Sequence, residues 1–409
     1  MTDDFDILII GGGLVGASLA CALGGQALRV GLVEAKPFAS RAEPDYDERS
    51  IALSSGSQRI FAAMDLWPAL AENCAPILRI QISDRGHFGA ARLDAAEEGV
   101  AALGYVAPAR VIGQALTTRL AGFANAELLC PTQVESVLLD ADAAQISVRA
   151  GDATRLLRSR LVVAADGAHS LVREQLGIET AHWQYDQTAV IANITPERPH
   201  ANTAYERFTD TGPLALLPLH DERCALVWTV RTQQVDALMQ LDDAAFLAAL
   251  QERFGQRLGR LLKVGARQAY PLNLVRAREA VRARLALIGN AAHSLHPVAG
   301  QGFNLGLRDV AALADVLVDA LRDRVDIGNL AVLQRYAAAR RRDQHGVIAF
   351  TDGLARIFAN PLAPVALARN LGLIAVDLLP PCKHFLTRRT MGLAGRLPRL
   401  ARGLSLLRM

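Results

Sequence analysis

Three stretches of this 409-residue chain hold the residue types that a closely approaching anionic group would need. The first is "GGGLVG", in which Gly11, Gly13 and Gly16 form a G-x-G-x-x-G spacing, with Glu34 18 residues beyond Gly16. The second is Asp166-Gly167, with Ser170 and Arg173 just after it. The third is "GNAAHSLHPVAGQGFN", Gly289 to Asn304, where glycines and alanines surround two histidines and a proline. Glycine lets another group come close to the backbone and permits turns that a Cβ would forbid. Something must therefore approach the chain at all three places. An asparagine, Asn290, stands in the third where a carboxylate could be expected.

The surrounding patterns say which elements hold these residues. "FDILII" is a short apolar run that reads as a buried strand, "GGGLVGASLACAL" as a tight turn into a helix, and "LRVGLVE" as a second strand ending in Glu34. In such a unit Gly11 permits the turn, Gly13 admits a pyrophosphate, and Gly16 lets helix and strand pack closely. The helix N-terminus offers free N–H groups to the phosphates, and Glu34 can accept both ribose hydroxyls. Dinucleotide binding follows, with FAD and NAD both open on this motif alone. "LVVAADGAHSLVREQLG" is another buried strand that runs into a helical turn, where Asp166 and Ser170 could equally be ordinary caps. "RLALIGN" is a strand leading into the third motif, whose Gly300 and Gly302 open the helix "FNLGLRDVAALADVLVDAL".

Composition narrows the class. Hydrophobic residues make up 51% and charged residues 21%, which reads as a soluble α/β protein of two or three domains. A net charge of +3 gives no reason to expect nucleic acid. Cys21, Cys74, Cys130, Cys224 and Cys382 are scattered, so neither a disulfide framework nor a metal site is expected, and the cytoplasm is the default location. Residues 7 to 28 carry no charge and are long enough to suggest a membrane span or signal peptide, but acids (Asp3, Asp4, Asp6) precede them in place of a basic region and glycines interrupt them, so a strand, a tight turn and a helix are expected instead.

In this order and spacing, the three motifs resemble the class A flavoprotein aromatic hydroxylases, the group related to para-hydroxybenzoate hydroxylase. The resemblance runs from residue 5 to about 345. It implies an α/β architecture in which a Rossmann-like FAD-binding domain carries an inserted antiparallel-sheet substrate domain. It also implies FAD as cofactor, NADPH or NADH as electron donor, and O₂ as co-substrate. Asp166 and Gly167 would touch FAD and the nicotinamide donor. Gly289, Asn290, Gly302 and Asn304 would hold the ribityl chain, with the helix N-terminus facing the flavin N1–C2=O edge. Pro297, Gly300, Gln301 and Gly302 would form the wall beside the reacting flavin carbon. Arg49, in "YDERSIALSSGSQRIF", would lie near the flavin, and Arg110 and Gln114, in "PARVIGQAL", near its diphosphate; a solvated surface position is the alternative for each. His293, His296 and His87 are read first as packed structural histidines, and no general base is identified.

"ISDRGHFGAARL", "DERSIALSSGS" and "HPVAGQGFNLGLRDV" narrow the resemblance to the ubiquinone-biosynthesis hydroxylases, and within them to the 2-polyprenyl-6-methoxyphenol branch. The broader group has Gly-Asp-Ala where this chain has Gly289-Asn290-Ala291. An amide oxygen can still accept the ribityl hydrogen bond, but a negative charge near the flavin is lost. The implied reaction is hydroxylation of 2-polyprenyl-6-methoxyphenol to the benzoquinol. A flavin-binding prenyl-chain reductase or a non-catalytic subunit of a biosynthetic complex is the alternative.

The expected organisation is an FAD-binding domain in three parts, 1–77, 106–181 and 276–350. Residues 78–105 and 182–275 form the substrate domain, and 351–409 a helical basic tail. "QQVDALMQLDDAAFLAALQERFG" reads as helix beside the substrate sheet. In the tail, seven Lys/Arg occur from residue 378 onward without an acid, and Leu393, Leu397, Leu400, Leu404 and Leu407 fall at helical spacing, interrupted by Pro398. Two readings stay open. Either the tail lies on the inner face of an anionic membrane, or it packs on the FAD domain or a partner subunit. A homo-oligomer is also left open.

Overall fold

The computed structural model describes residues 4–37, 49–294, 300–360 and 362–407. Its first layer is a sheet in the order Val281–Arg282, Leu285–Leu287, Ala153–Ala164, Phe5–Ile10, Val30–Val33, Ala126–Leu129. From Leu285–Leu287 onward the neighbours are parallel. Ile7, Leu8 and Ile9 are all fully buried, as expected for a parallel sheet covered on both faces. The helices Leu14–Ala22 and Gln301–Arg322 cover one face, their apolar side chains merging with Ile7, Ile9, Leu161 and Val163 in one core. Their approach is close: a Cβ on Gly306 would stand 3.0 Å from Val15 Cγ2.

The second layer is a mostly antiparallel sheet. Its order is His293–Ser294, Gln268–Ala277, Thr180–Pro196, Cys224–Arg231, Gly212–Pro218, Thr203–Thr209, Arg79–Asp84, Ala90–Asp94. Arg79–Asp84 joins Thr203–Thr209 in parallel, so a hairpin from early in the chain closes a sheet built mainly from its middle. The helix Asp243–Phe254 seals the outer face, where Phe246, Leu250 and Phe254 meet Val190, Leu214 and Trp228. The single helix expected over residues 233–255 is two, Val235–Met239 and Asp243–Phe254. The break comes at Asp242, whose carboxylate caps the second helix by accepting from Ala245 N–H at 2.7 Å.

The tail also differs from its sequence pattern. One helix, Leu330–Ala359, runs through the expected boundary at 350, followed by helices Ala363–Leu378 and Pro380–Thr390. The leucines at 393–407 do not form an amphipathic helix. Gly392 and Gly395 take positive φ, Pro398 interrupts, and only a short 3-10 turn, Leu400–Arg402, survives. Leu400 and Leu406 are buried in the first-layer core, and Arg399 is clamped by Asp315 and Asp319 at 2.8 and 2.7 Å. This segment therefore packs on the first layer.

Two buried carboxylates lock the layers. Asp84 accepts from Arg369 Nε at 2.7 Å and from Asn370 Nδ2 at 3.0 Å, while Asn370 Oδ1 accepts from Gly89 N–H at 2.7 Å. The "DRGHFG" turn is thus the seat of the helix Ala363–Leu378; a Cβ on Gly89 would stand 2.3 Å from Asn370 Oδ1. His87 stands 4.0 Å from Asp84 at the margin of this contact. The second is Asp309, fully buried in the middle of helix Gln301–Arg322. One oxygen accepts from His293 Nε2 at 2.6 Å and Gly289 N–H at 3.1 Å; the other accepts from Arg340 Nε at 2.7 Å and Gln344 Nε2 at 3.0 Å. Burial pushes the Asp309 carboxyl up, but the charges and hydrogen bonds of His293 and Arg340 outweigh it and hold the group well below the usual carboxylate range.

Because the folded-state value is depressed, the stability Asp309 contributes is present above the ordinary carboxylate range and is lost only as pH falls through it in strong acid. Asp309→Asn leaves Arg340 without one of its buried counter-charges. The expected loss is about 3–5 kcal/mol. Chemical unfolding should show this gap constant through neutral pH and narrowing only below about pH 4; an unchanged midpoint would mean the network is not what joins the third motif to its helix.

Candidate active site

The first turn behaves as its spacing requires. Gly11 has φ +103°, and a Cβ on Gly16 would lie 2.0 Å from the Gly11 carbonyl oxygen, so both are held by the chain's own packing. Gly13 is different: it takes an ordinary extended φ of −61°, and a Cβ there would meet nothing within 4 Å. Its missing side chain leaves open space at the N-terminus of helix Leu14–Ala22, which no side chain caps. Glu34 follows strand Val30–Val33 and accepts from Gly12 N–H at 2.7 Å and Lys36 N–H at 2.9 Å. The carboxylate is thereby fixed beside the turn.

The second and third motifs are joined by Arg173, nearly buried, which donates to the Ala168 carbonyl at 2.6 Å and to the Ala291 carbonyl at 2.8 Å. Asp166 Oδ2 accepts from Val172 N–H at 3.2 Å, and Ser170 caps the turn through Arg173 N–H at 3.1 Å. Gly167, with φ +89°, has open space where a Cβ would point. In the third motif Gly289 has φ +58° and packs on Val15, and Gly300, φ +61°, caps helix Gln301–Arg322 with no side-chain cap hydrogen bond among the described residues. A Cβ on Gly300 would stand 2.8 Å from Ala52 Cβ, whereas Gly302 faces open space.

These elements bound one cavity of about 1030 Å³. Gly13, Arg49, Gly167, Asn290, Gly300, Gln301, Gly302 and Asn304 all line it at the glycine end. Arg49 lies on the strand side, its guanidinium carbon 5.7 Å from the Tyr270 ring centre. Gly11, Gly16 and Gly289 stand behind as backbone supports, and Glu34 beside Gly12. Arg110 and Gln114 do not line the cavity. They lie four residues apart on helix Ala109–Ala121, whose Gly113 packs towards Leu14. Pro297 and His296 fall outside the described residues. His293 is buried against Asp309 rather than against backbone, consistent with the structural reading in kind though not in partner. The Asn304 side chain is engaged within the protein: its amide oxygen accepts from Ser54 N–H at 2.8 Å and Ser57 Oγ at 2.6 Å, and its nitrogen donates to the Ala52 carbonyl at 2.9 Å and the Gly300 carbonyl at 2.6 Å. With both donors and both acceptor sites used, the side chain clamps the strand Ser50–Ser54 to the helix at the edge of the cavity.

Whether these residues fit a dinucleotide is answered by two features. Gly13, Gly167 and Gly302 each leave a space that a side chain would fill, around helix N-termini whose N–H groups point outward. Asp166 Oδ1 is buried and has no partner among the described residues. A polyhydroxylated, phosphate-bearing group supplies what both lack. Asp309 and Arg340 were not found from sequence, although a charged pair, Arg308-Asp309, inside an otherwise apolar helical stretch was the available signal.

The comparisons with known proteins agree with this geometry. Residues 4–351 match the model of an FAD binding domain family. The chain is 41% identical to the ubiquinone hydroxylase UbiL of Rhodospirillum rubrum, over 98% of this chain and 93% of the relative. It is 34% identical to the 3-demethoxyubiquinol 3-hydroxylase of Escherichia coli, over 95% of this chain and 98% of that one. The chain belongs to the FAD-dependent ubiquinone-biosynthesis hydroxylases. In fold it matches the crystal structure of p-nitrophenol 4-monooxygenase PnpA from Pseudomonas putida, with a TM-score of 0.80, 19% identity, and coverage of 97% of this chain and 100% of that chain. The para-hydroxybenzoate hydroxylase-like architecture is thus shown, and the family match makes FAD the cofactor.

Gly13→Val separates cofactor space from packing space. No protein atom meets the new Cβ, so the FAD-free protein should unfold at the wild-type temperature. The side chain occupies the pyrophosphate's place, so the purified variant should be colourless. Gly16→Ala, by contrast, should lower the unfolding temperature, because its Cβ has no room. Yellow, FAD-replete Gly13→Val protein would remove the basis for placing the cofactor at this turn.

Proposed function

We propose that this protein uses NAD(P)H and O₂ to hydroxylate the ring of a polyprenylated phenol, and that the ring is a 2-polyprenyl-6-methoxyphenol that becomes the benzoquinol. The observation that carries the reading is the cavity: it continues from the glycine cradle, under the apolar face of the second sheet, to the C-terminal helices, where Leu354, Phe358, Leu373, Val376 and Leu386 line it. A ring with a long apolar chain fits such a shape; a small polar substrate would leave most of it unfilled. The names of the relatives point to the same substrate class, while the ring position rests on the resemblance of the sequence motifs.

In balance, NAD(P)H, one proton and O₂ are consumed; one oxygen atom enters the ring as a hydroxyl and the other leaves as water. FAD, held by the turn Gly11–Gly16, Glu34, Asp166, Gly167 and the Gly289–Asn290 loop, supplies the two-electron path from the nicotinamide to O₂. The chain does the rest. The N–H groups at Gly300–Gly302 favour negative charge where the cavity meets the cradle. The walls of Ile80, Ile82, Ala204, Ala215 and Leu217 exclude water from the ring's position.

The helices at the far end fit a membrane source for the substrate. Leu362, Leu367, Leu371, Leu378, Leu379 and Phe385 are exposed, 51–70% each, on or beside the helices whose other faces line the cavity. No single helix among the described residues is long and apolar enough to cross a membrane, while Ala363–Leu378 and Pro380–Thr390, bent by 95°, pass that test only as a pair. Such a pair suits docking into one leaflet, with the exposed Arg388 near lipid headgroups.

Two measurements test this reading. With FAD, NAD(P)H and a prenylated methoxyphenol, mass spectrometry under ¹⁸O₂ should find one labelled oxygen in the product, at the position para to the phenol hydroxyl. NAD(P)H-independent behaviour, or a product reduced in its prenyl chain, would sink it. In flotation with anionic vesicles, Leu371→Asp/Phe385→Asp should bind at least about tenfold more weakly than wild type, since each buried apolar side chain contributes about 1.5–3 kcal/mol. Its turnover of a short-chain phenol in solution should stay unchanged. Equal vesicle binding would place the membrane contact elsewhere.

A further inference from the structure

One ionisable group in the cavity has no assigned work. Glu206 sits mid-way along strand Thr203–Thr209, where successive residues alternate between the sheet's faces. Tyr205 and Arg207 point outward: Tyr205 meets Phe254 edge-on, and Arg207 donates to the Phe254 carbonyl at 2.9 Å. Ala204, Glu206 and Phe208 line the cavity. The rung through Glu206 reads Ala91, Ile82, Glu206, Ala215, Val227, Ile191, Gln268 from strand to strand. Its neighbours on both sides are apolar, and the only other polar member is at the distant edge.

The charges that face this space are few. Of the other titratable groups lining it, Arg369 comes from helix Ala363–Leu378 and is committed to Asp84 and to three backbone carbonyls. Arg49 and Tyr270 stand together, and Tyr205 packs on the opposite face of the sheet. The strand Gly212–Pro218 and the helices Leu330–Ala359 and Pro380–Thr390 contribute only uncharged side chains to the lining. Glu206 has no hydrogen bond or ion pair among the described residues. Burial, with nothing opposing it, pushes its carboxyl up to about 7. An unpartnered carboxylate in an apolar cavity costs stability, so a protein has reason to keep one there only if something that enters the cavity uses it.

Resting on the phenol-hydroxylating reading above, we propose that Glu206 takes the proton from the hydroxyl of the bound phenol. The phenol O–H bond breaks, the Glu206 O–H bond forms, and the electron pair stays on the ring oxygen, which raises electron density at the carbons ortho and para to it. No electrons change hands in this step. The proton returns in the water formed from the second oxygen atom, which regenerates the carboxylate and leaves the overall stoichiometry unchanged. The carboxylate must be ionised to act, so hydroxylation falls as pH drops through about 7.

The test uses the FAD-loaded protein and a short-chain 2-prenyl-6-methoxyphenol; it follows binding of the phenol without NAD(P)H, and hydroxylation with NAD(P)H and O₂, each across pH. Wild type should bind the ligand as the neutral phenol, since a carboxyl near about 7 does not hold the proton of a phenol near about 10 before the ring reacts, and its hydroxylation should rise as pH climbs through about 7. Glu206→Gln should bind the phenol comparably, with hydroxylation about a hundredfold slower and no longer rising through neutrality. Glu206→Asp, which keeps a carboxylate, should return the pH-dependent rise. Folding has its own readout. A carboxyl raised in the folded state destabilises increasingly as pH climbs from the ordinary carboxylate range through about 7. Glu206→Gln should therefore unfold at a higher temperature than wild type above that pH, and at the same temperature in acid. A Glu206→Gln variant that hydroxylates at the wild-type rate with the wild-type pH profile overturns the proposal. Wild-type protein that binds no phenol at any pH overturns the function reading, and this proposal with it.

Discussion

The site depends on one buried carboxylate. Asp309 holds the third glycine motif by Gly289 N–H and His293, and the long helix Leu330–Ala359 by Arg340 and Gln344. All its strong contacts are inside the protein, in a region where an unmatched charge would be very costly. That cost makes the arrangement selective. The strand Leu285–Leu287, the helix Gln301–Arg322 and the helix behind it are placed so that all four donors reach Asp309, and that placement puts Gly300 and Gly302 at the mouth of the cradle. Arg173 extends the constraint to the second motif through the Ala291 carbonyl. Two of the three motifs are thus joined by buried polar bonds, and the first reaches them by apolar contact, through Val15 against Gly289 and Gly306.

The motifs were legible in sequence because local chemistry dictates them. A turn that needs Gly11 at positive φ, and a helix that must pass within reach of Gly16, leave their mark as glycine spacing. The runs at 203–209 and 212–218, broken by Asp210 and Gly212, also read directly as strands. What could not be read was set by distant partners. Asn304 has the position of a ligand in the motif, yet Ser54 and Ser57, about 250 residues away, use up its amide. Glu206 is one acid among many until strand register places it between Ile82 and Ala215. The tail was legible in part: packing on the core was one of its two open readings and Pro398 visibly broke the leucine spacing, but the turns at Gly392 and Gly395 that bring the segment back depend on the core it meets.

The second sheet divides its two faces between stability and chemistry. Its outer face, with Trp228, Phe246, Leu250 and Phe254, is closed by a packed helix. Its inner face, equally apolar, is left mostly uncovered, and at the hairpin end it meets the C-terminal helices through stacked Phe208 and Phe358, 3.6 Å between ring centres. That stack and the Asp84–Arg369–Asn370 lock hold the roof at one end, so the sheet need not collapse onto the glycine cradle at the other. An apolar space of this size would otherwise close, since burying its walls is favourable. The cavity persists because its two ends are pinned by polar bonds that collapse would break.

This pinning also bears on Asn290. Its neighbour Gly289 gives its N–H to Asp309, so a carboxylate at 290 would place a second negative charge one residue from a buried one. Asp309 is neutralised by His293 and Arg340 behind the loop, whereas position 290 is exposed to the cavity. An aspartate there would face the cradle with its charge uncompensated by these partners. The amide keeps an acceptor for a hydroxyl-bearing chain without that charge. With Asn290 neutral, the helix N-terminus at Gly300–Gly302 meets less opposing negative charge from the loop, and its preference for an anion at the cradle is stronger than a carboxylate at that position would allow.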